Sequence, residues 1–595
     1  MFAQTPDTKF GQSRVQYKDF NFSYYPSDHF VTYFYQGGQD VGKYVVNAAE
    51  EYYDELAQQL DVKVKAKTDI IVYNTLEDLN QTNIGIYEPD QNQGGLAKLP
   101  HNRIFVYFNG SHEHIDEQVK AGIARVLGAR AVSGKERETR FYRRLPEWFT
   151  SGLNLYLSKP WTSIDEDQLR DGIVSGRYET FRRLGSDEIT HVGYSIFHYI
   201  EEKYGKTAVN NVIYYTRLNR STDYGLQFSI GVNSNELLVQ WFAYYRDRFQ
   251  AENLQTIAPR DKDLIKIPVK KETQYFETKI SPDGKFMAYA TNNWGRINIH
   301  LKNLETSECK TIYKYGWRTR TLFTDLKLPL LAFTPKGDKL TVVYNKRAVN
   351  RMVHHTIETG KQEKVRVEKF QKITSINYMP DGKSLLLSAF QKGQSDIYIY
   401  TLASTSTKQI TDDYYDDFDP AFVDVDDIQG VVFSSNRDDD TLRKVRYENQ
   451  AFNKQCDIFM YDLELNEVYQ ITQTPKISER KPFQFSSDKY QFLSDANGIT
   501  NIHTGHLESQ FDHKQVTYYV LNKESNEADS TSFPESLDIT TILDTTLYSI
   551  LSTRKEDVYK IKGVNHQLTN FSSDILELSF ETKKNFALTK KKKNG

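Results

Sequence analysis

The residues best equipped for chemistry form one short run, His112-Glu113-His114-Ile115-Asp116. Read as His-Glu-x-x-Asp, it sets a histidine and a carboxylate four residues apart. On a helix such a pair lies on one face and can share a metal ion. The same residues also suit an ordinary solvated helix start, where negative charge is favoured. The solvated start is the expectation, and a zinc site built on His112, Glu113 and Asp116 is the alternative. A second run, Asp412-Asp413-Tyr414-Tyr415-Asp416-Asp417-Phe418-Asp419, offers the oxygen ligands that calcium takes. It lacks the glycine and the spaced terminal glutamate of a calcium loop, so an acidic loop between repeat units is expected. Arg437-Asp438-Asp439-Asp440 reads the same way. His191, His198, His354 and His355 have no acidic partner at ligand spacing. Neither a G-x-S-x-G nucleophile elbow nor a G-x-x-x-x-G-K-[ST] phosphate loop occurs.

The elements that would position these residues differ between the two halves of the chain. Val41 to Leu60 places Val45, Ala48, Ala49, Tyr52, Leu56 and Leu60 on one stripe and predicts an amphipathic helix. Ile70 to Tyr73 and Arg103 to Phe108 are short apolar runs suited to buried strands. Helical spacing returns over 117–130, and further helices are expected over 147–157, 193–204, 207–217 and 234–250. Residues 15–250 therefore read as an α+β domain. Residues 251–273 hold Pro259, Pro268 and many charges, and read as a linker.

From Gln274 onward, short alternating strands repeat. Ser281-Pro282-Asp283-Gly284-Lys285, Thr334-Pro335-Lys336-Gly337-Asp338 and Met379-Pro380-Asp381-Gly382-Lys383 are turns between apolar strands. In such turns proline presets φ, aspartate bonds the backbone and glycine accepts positive φ. Downstream, Asp396-Ile397-Tyr398 and Asp457-Ile458-Phe459 are each followed by Gln-Ile-Thr, at 409–411 and 470–472. A period of roughly 45 to 60 residues with four strands per unit predicts a β-propeller of about six to seven blades over 274–595. Degenerate units are expected over 483–503 and 537–562. The segment 575–589 reads as strand–turn–strand, the opening of a unit expected to be truncated at the end of the sequence.

Composition narrows the class. At 595 residues the chain is too long for one core. Its 40 Tyr and 34 Phe favour strands, and a net charge of −3 with both signs interspersed argues against a nucleic-acid binder. The lysines at 590–593 read as a solvated tail. Two cysteines, Cys309 and Cys456, are too few for a metal cluster. No apolar stretch is long enough to span a membrane as a helix. Residues 1–14 read as a disordered start or as the remnant of a signal peptide, with Met1-Phe2-Ala3-Gln4-Thr5-Pro6 resembling its last residues.

The Pro-Asp-Gly turns and Asp-Ile-Tyr strands of the second half resemble the TolB-like family of bacterial envelope propellers. The first half resembles the gluzincin (peptidase MA-like) domain fused to such propellers in Bacteroidetes. That resemblance rests on 20–26 (FNFSYYP), 70–75 (IIVYNT), 106–111 (VYFNGS) and 145–149 (LPEWF). Active relatives carry His-Glu-x-x-His on the helix after the Tyr-Phe-Asn-Gly-Ser strand and a glutamate on the helix after Pro-x-Trp-Phe. Here Ala121 stands at the first histidine, Gly122 at the glutamate, Arg125 at the second histidine and Ser151 at the third ligand. The resemblance therefore implies a pseudopeptidase with no zinc and no cofactor. Its expected role is that of an interaction or scaffold protein, periplasmic or outer-membrane associated, with envelope proteins as partners. A glycan-binding propeller is the further alternative. The emptied cleft is expected to close by packing of Ile123, Val126 and Leu127 on Trp148, Phe149 and Leu153, with Arg125 at the rim beside Glu147.

Overall fold

The computed structural model describes the chain except residues 1–13, 83–102, 134–138, 143, 182–183, 254–255, 258–264, 266, 268–269, 271–272, 320–323, 426–427, 443–454, 523–527, 538–546, 582–583 and 590–595. The leader-like start, the lysine tail and much of the expected linker lie outside the described residues.

The N-terminal part is α+β. Strands β1 (Ser23–Pro26), β2 (Phe30–Phe34), β3 (Thr68–Tyr73) and β4 (Arg103–Tyr107) form one sheet in that order. The β1–β2 pair is antiparallel, and β2, β3 and β4 run parallel. The helices are α1 (Gln39–Leu60), α2 (Leu76–Leu79), α3 (His112–Ser133), α4 (Thr139–Tyr142), α5 (Glu147–Ser158), α6 (Ser163–Val174), α7 (Ser186–Tyr204), α8 (Lys206–Asn219), α9 (Thr222–Ile230) and α10 (Ser234–Asn253). The buried stripe of α1 runs through Val45, Ala49, Tyr53, Leu56 and Leu60, and Tyr52 packs half-buried against the same core. That stripe joins Ile70, Val72, Ile104 and Val106 of the sheet and Ile123 and Leu127 of α3 in one core. Helices α5 and α7 cross almost backbone to backbone. A Cβ on Gly193 would stand 1.9 Å from the Trp148 carbonyl oxygen, and one on Gly152 would stand 2.3 Å from the Gly193 carbonyl carbon. Only glycine fits at such a crossing.

The C-terminal region is all-β, a series of antiparallel sheets of propeller-like form. The first sheet is β5–β8 (Gln274–Ile280, Phe286–Asn293, Arg296–Asn303, Cys309–Tyr315) and the second is β9–β12 (Leu330–Phe333, Lys339–Lys346, Val349–Thr356, Gln362–Val367). The third is β13–β16 (Lys372–Tyr378, Ser384–Gln391, Gln394–Thr401, Thr407–Gln409) and the fourth is β17–β20 (Asp417–Val425, Ile428–Ser435, Asp457–Asp462, Val468–Gln470). The fifth holds β21 (Glu479–Ser486), β22 (Lys489–Ser494), β23 (Asn501–Asn522), β24 (Ala528–Pro534) and β25 (Tyr548–Gln567). Strands β26 (Ile575–Glu581) and β27 (Lys584–Thr589) pair with each other. First strands neighbour one another from β5 through β9, β13 and β17 to β21, and β26 packs on β5.

The turn chemistry follows the sequence. Asp283 accepts the Ser281 hydroxyl at 2.6 Å and the Lys285 N–H at 3.1 Å, and Gly284 sits at φ 70°. The Gln-Ile-Thr segments latch the end of the fourth strand of a sheet to the third strand of the same sheet. The Thr411 and Thr472 hydroxyls accept the N–H groups of Ile397 and Ile458 at 3.0 and 2.8 Å. One expectation is corrected. Of the unit expected over 537–562, the described residues 548–562 do not open a new unit: β25 returns along β23 over almost its whole length, with β24 on the other side of β23. Together they extend the fifth sheet into a long arm. Alternating residues mark a strand without telling which sheet it joins.

Candidate functional site at the seam between the domains

The four positions that the resemblance assigns to zinc ligands and base lie on two packed helices. Ala121, Gly122 and Arg125 are on α3 and Ser151 is on α5. Gly122 is buried, while Ala121, Arg125 and Ser151 are half-buried. Around them Ile123, Leu127, Phe149 and Leu153 are at most 1% exposed and share one core, with Trp148 at 7%. Val126 is only half-buried. Glu147, the partner expected for Arg125, accepts the Ser186 hydroxyl instead. Arg125 lies near Tyr142: burial pushes that phenol up, and the guanidinium pulls it partly back.

The His-Glu-x-x-Asp run is not a solvated helix start, which corrects the expectation. His112 is 6% exposed, because the start of α3 is pressed against the propeller-like region. Asp416 accepts the His112 backbone N–H at 2.7 Å through one oxygen and meets His112 Nδ1 at 2.7 Å through the other. A carboxylate is thereby set at the positive end of a long helix, where it satisfies an otherwise orphan N–H. Glu113 faces Arg480 at 3.6 Å, and Asp116 accepts the Tyr44 hydroxyl at 2.7 Å. Each side chain of the candidate zinc set thus has a separate protein partner. His114 is held neutral, its pKa pushed down to about 3 by burial, then by Lys327 and Lys372.

The seam extends well beyond this point. Phe108 meets Phe390 at 5.1 Å, edge to face. Gln371 donates to the Gly37 carbonyl at 3.2 Å, Ser163 donates to Asp495 at 2.9 Å, and the Asp574 N–H donates to Asp167 at 3.3 Å. Lys372 pairs with Asp325 inside the second region and feels Glu77 of the first. Burial pushes the Glu77 carboxyl up, and Lys372 opposes it. Every one of these partners in the all-β region lies on a link between sheets, at the start of a first strand or beside a β14–β15-type hairpin. The α+β part therefore caps one face of the sheets.

The middle of the acidic run, 413–417, is also buried. It links the third and fourth sheets as expected, yet Asp413, Asp416 and Asp417 are 0% exposed. Among the described residues, the carboxylates of Asp396, Asp413 and Asp417 lie within 4.8 Å of one another. A cation is already present in the form of Arg437, itself 1% exposed. Its Nη2 lies 3.1 Å from Asp413 and 2.8 Å from both oxygens of Asp417. One guanidinium cannot offset three buried charges. Accordingly the Asp396 carboxyl is pushed up to about 9, by burial first and then by Asp417 and Asp413. Asp413 is pushed up to about 7 by burial and by Asp417, against the pull of Arg437. The arrangement can hold a proton and tie two sheets together.

Sequence reasoning had no means of assigning Asp416, Phe390, Lys372 or Arg480 to a seam. Their partners lie hundreds of residues away, as the 304-residue separation of His112 and Asp416 illustrates. Cys309 and Cys456 are both free thiols. No helix among the described residues is long and apolar enough to cross a membrane.

No family model matches the chain, and no curated protein matches it. Similar solved structures include TolB from Acinetobacter baumannii, 14% identical, covering 56% of this chain and 73% of that one with a TM-score of 0.27. A putative TolB from Agrobacterium tumefaciens is 15% identical, covering 53% and 90% with a TM-score of 0.30. An oligogalacturonate lyase from Vibrio parahaemolyticus is 14% identical, covering 44% and 66% with a TM-score of 0.26. The likeness includes an enzyme as well as TolB proteins, and at these scores it carries no statement about chemistry.

Proposed function

We propose that this chain is a non-catalytic interaction protein of the bacterial cell envelope, periplasmic or outer-membrane associated. On this reading a degenerate gluzincin domain caps one face of a TolB-like propeller of six blades, β26 and β27 belonging to the sixth. The observation that carries it is the identity of four residues. Ala121 and Gly122 have no ligand atom, Ser151 is a poor substitute for a carboxylate, and Arg125 brings a positive charge that repels a cation. The burial of Ile123, Leu127, Phe149 and Leu153 around them supports a cleft closed by packing. Partners would then meet the outer surfaces, where loops on a rigid scaffold grip other proteins.

Elemental analysis of the purified chain tests the reading. It should find no stoichiometric zinc, and one tightly held zinc per chain would overturn it. The fourfold variant A121H/G122E/R125H/S151E should gain no zinc-dependent peptidase activity, because the helices leave no room for substrate.

A further inference from the structure

Helices α8 and α9 each carry two stripes. The inward one is ordinary core: Val209, Val212 and Ile213 of α8 and Leu226 of α9 are at most 4% exposed. The two helices are pressed together at Gly225, where a Cβ would stand 2.1 Å from the Thr216 hydroxyl. The outward stripe repeats one spacing on both helices, Tyr214-Arg217-Leu218 and Tyr224-Gln227-Phe228, at i, i+3 and i+4. On a surface helix these positions are normally polar. Here Tyr214 is 48% exposed, Leu218 64%, Tyr224 58% and Phe228 62%.

These side chains form one surface. Ring contacts run from Tyr214 to Tyr215 at 5.3 Å, from Tyr215 to Phe228 at 5.6 Å and from Phe228 to Tyr224 at 6.3 Å, crossing from one helix to the other. Arg217 lies over the Tyr214 ring at 5.2 Å, and Arg220, at the end of α8, lies over Phe141 at 5.9 Å. Asp223, an acid on α9, accepts the Ser234 N–H at 3.0 Å at the start of α10. The face is thus apolar at its centre, phenolic at its edges and basic at its rim.

We propose that this α8–α9 face docks the protein on an anionic lipid leaflet. The chemistry matches in three respects. Phenylalanine and leucine enter the boundary of the acyl chains, and tyrosines settle at headgroup level with an apolar body and a polar tip. Arginines meet lipid phosphates with charge-assisted bonds. Two helices pressed together at Gly225 present the stripe without first having to order it, so little entropy opposes docking.

Co-sedimentation of the full chain with vesicles tests this. With vesicles carrying roughly one-third phosphatidylglycerol in phosphatidylcholine, the wild type should sediment, and raising salt from about 0.1 to about 0.5 M should weaken it. R217A/R220A should lower the affinity about 25-fold, at about fivefold per arginine. L218S/F228S should abolish sedimentation. Both side chains are exposed, so circular dichroism and melting temperature should stay at wild-type values. Failure of the wild type to bind anionic vesicles would overturn the proposal, as would undiminished binding by L218S/F228S. A concentration-dependent dimer dispersed by L218S/F228S would also overturn it, assigning the face to a second copy of the chain. The test is independent of the pseudopeptidase reading, since zinc content has no bearing on it.

Discussion

Replacing Asp396 by asparagine should stabilise the all-β region, and increasingly so as pH rises. Asp396 is 2% exposed and shares its site with Asp413 and Asp417. Its carboxyl is pushed from the ordinary 3.8 up to about 9, by burial and then by the two neighbouring charges. The folded chain therefore keeps a proton that the unfolded chain gives up. Stability from this group is fully present below about pH 4 and is lost as pH rises toward 9. Within that window each pH unit costs about 1.36 kcal/mol, so the step from pH 5.5 to pH 8 costs up to about 3.4 kcal/mol. Asparagine keeps a donor of nearly the same shape and never ionises. Its carbonyl can still accept from Gln409, whose amide lies 3.1 Å from Asp396. The gain from D396N at pH 8 should exceed the gain at pH 5.5 by about 3 kcal/mol, a difference of roughly 6 °C in melting temperature for a region of this size. Calorimetry of both proteins at both pH values reads it directly. Asp413, pushed up to about 7, shifts stability the same way in both proteins and drops out of the comparison. An unchanged pH dependence in D396N, or a variant less stable than wild type at pH 8, would refute the account.

Two further substitutions probe packing and docking. G193A should lower the melting temperature of the α+β part by several degrees, because a methyl group 1.9 Å from the Trp148 carbonyl forces α5 and α7 apart at a cost of about 3 kcal/mol; an unchanged melt would mean that the helices do not cross so closely. D416A removes both the cap on α3 and the partner of His112, a loss of about 1–2 kcal/mol. Limited proteolysis should nick the wild type first within 251–273 and nick D416A there several times faster, whereas first cleavage elsewhere or equal rates would count against the seam.

Much of the architecture was legible because local chemistry dictates it. Apolar periodicity predicted α1, α5, α7, α8 and α10, with α1 beginning two residues and α7 seven residues earlier than expected. Helices α6 and α9 and strands β1 and β2 escaped, being short and weakly patterned. The sheet repeat was legible through its latches and lost where they were interrupted. Asp396-Ile397 and Asp457-Ile458 each meet their threonine 14 residues on. A third copy exists: the Ile502 N–H donates to Thr569 at 3.0 Å, and Gln567-Leu568-Thr569 is its Gln-x-Thr segment. There the separation is 67 residues, because the arm of β23, β24 and β25 lies in between. A fixed period cannot be seen across such an insertion. The acidic run was placed correctly between units, but its burial was not legible, because Arg437, its counter-charge, lies 20 residues beyond Asp417.

On the reading proposed above, the seam also bears on how the first domain would do without a metal. In a working peptidase of the kind resembled, the strand ending in Tyr-Phe-Asn-Gly-Ser borders the cleft, and bound zinc adds to stability. Here that same segment meets the all-β region. Phe108 packs on Phe390, and Gly110, at φ 98°, comes so close that a Cβ would stand 3.0 Å from the Phe390 ring and 3.4 Å from the Ser395 hydroxyl. Next along the chain, His112 is clamped by Asp416. On the reading proposed above, contacts between domains have taken over the rigidifying role that a metal holds in an active relative. A domain stabilised this way would be under no demand to keep metal ligands, and on that reading Ala121, Gly122, Arg125 and Ser151 are the residues such freedom permits.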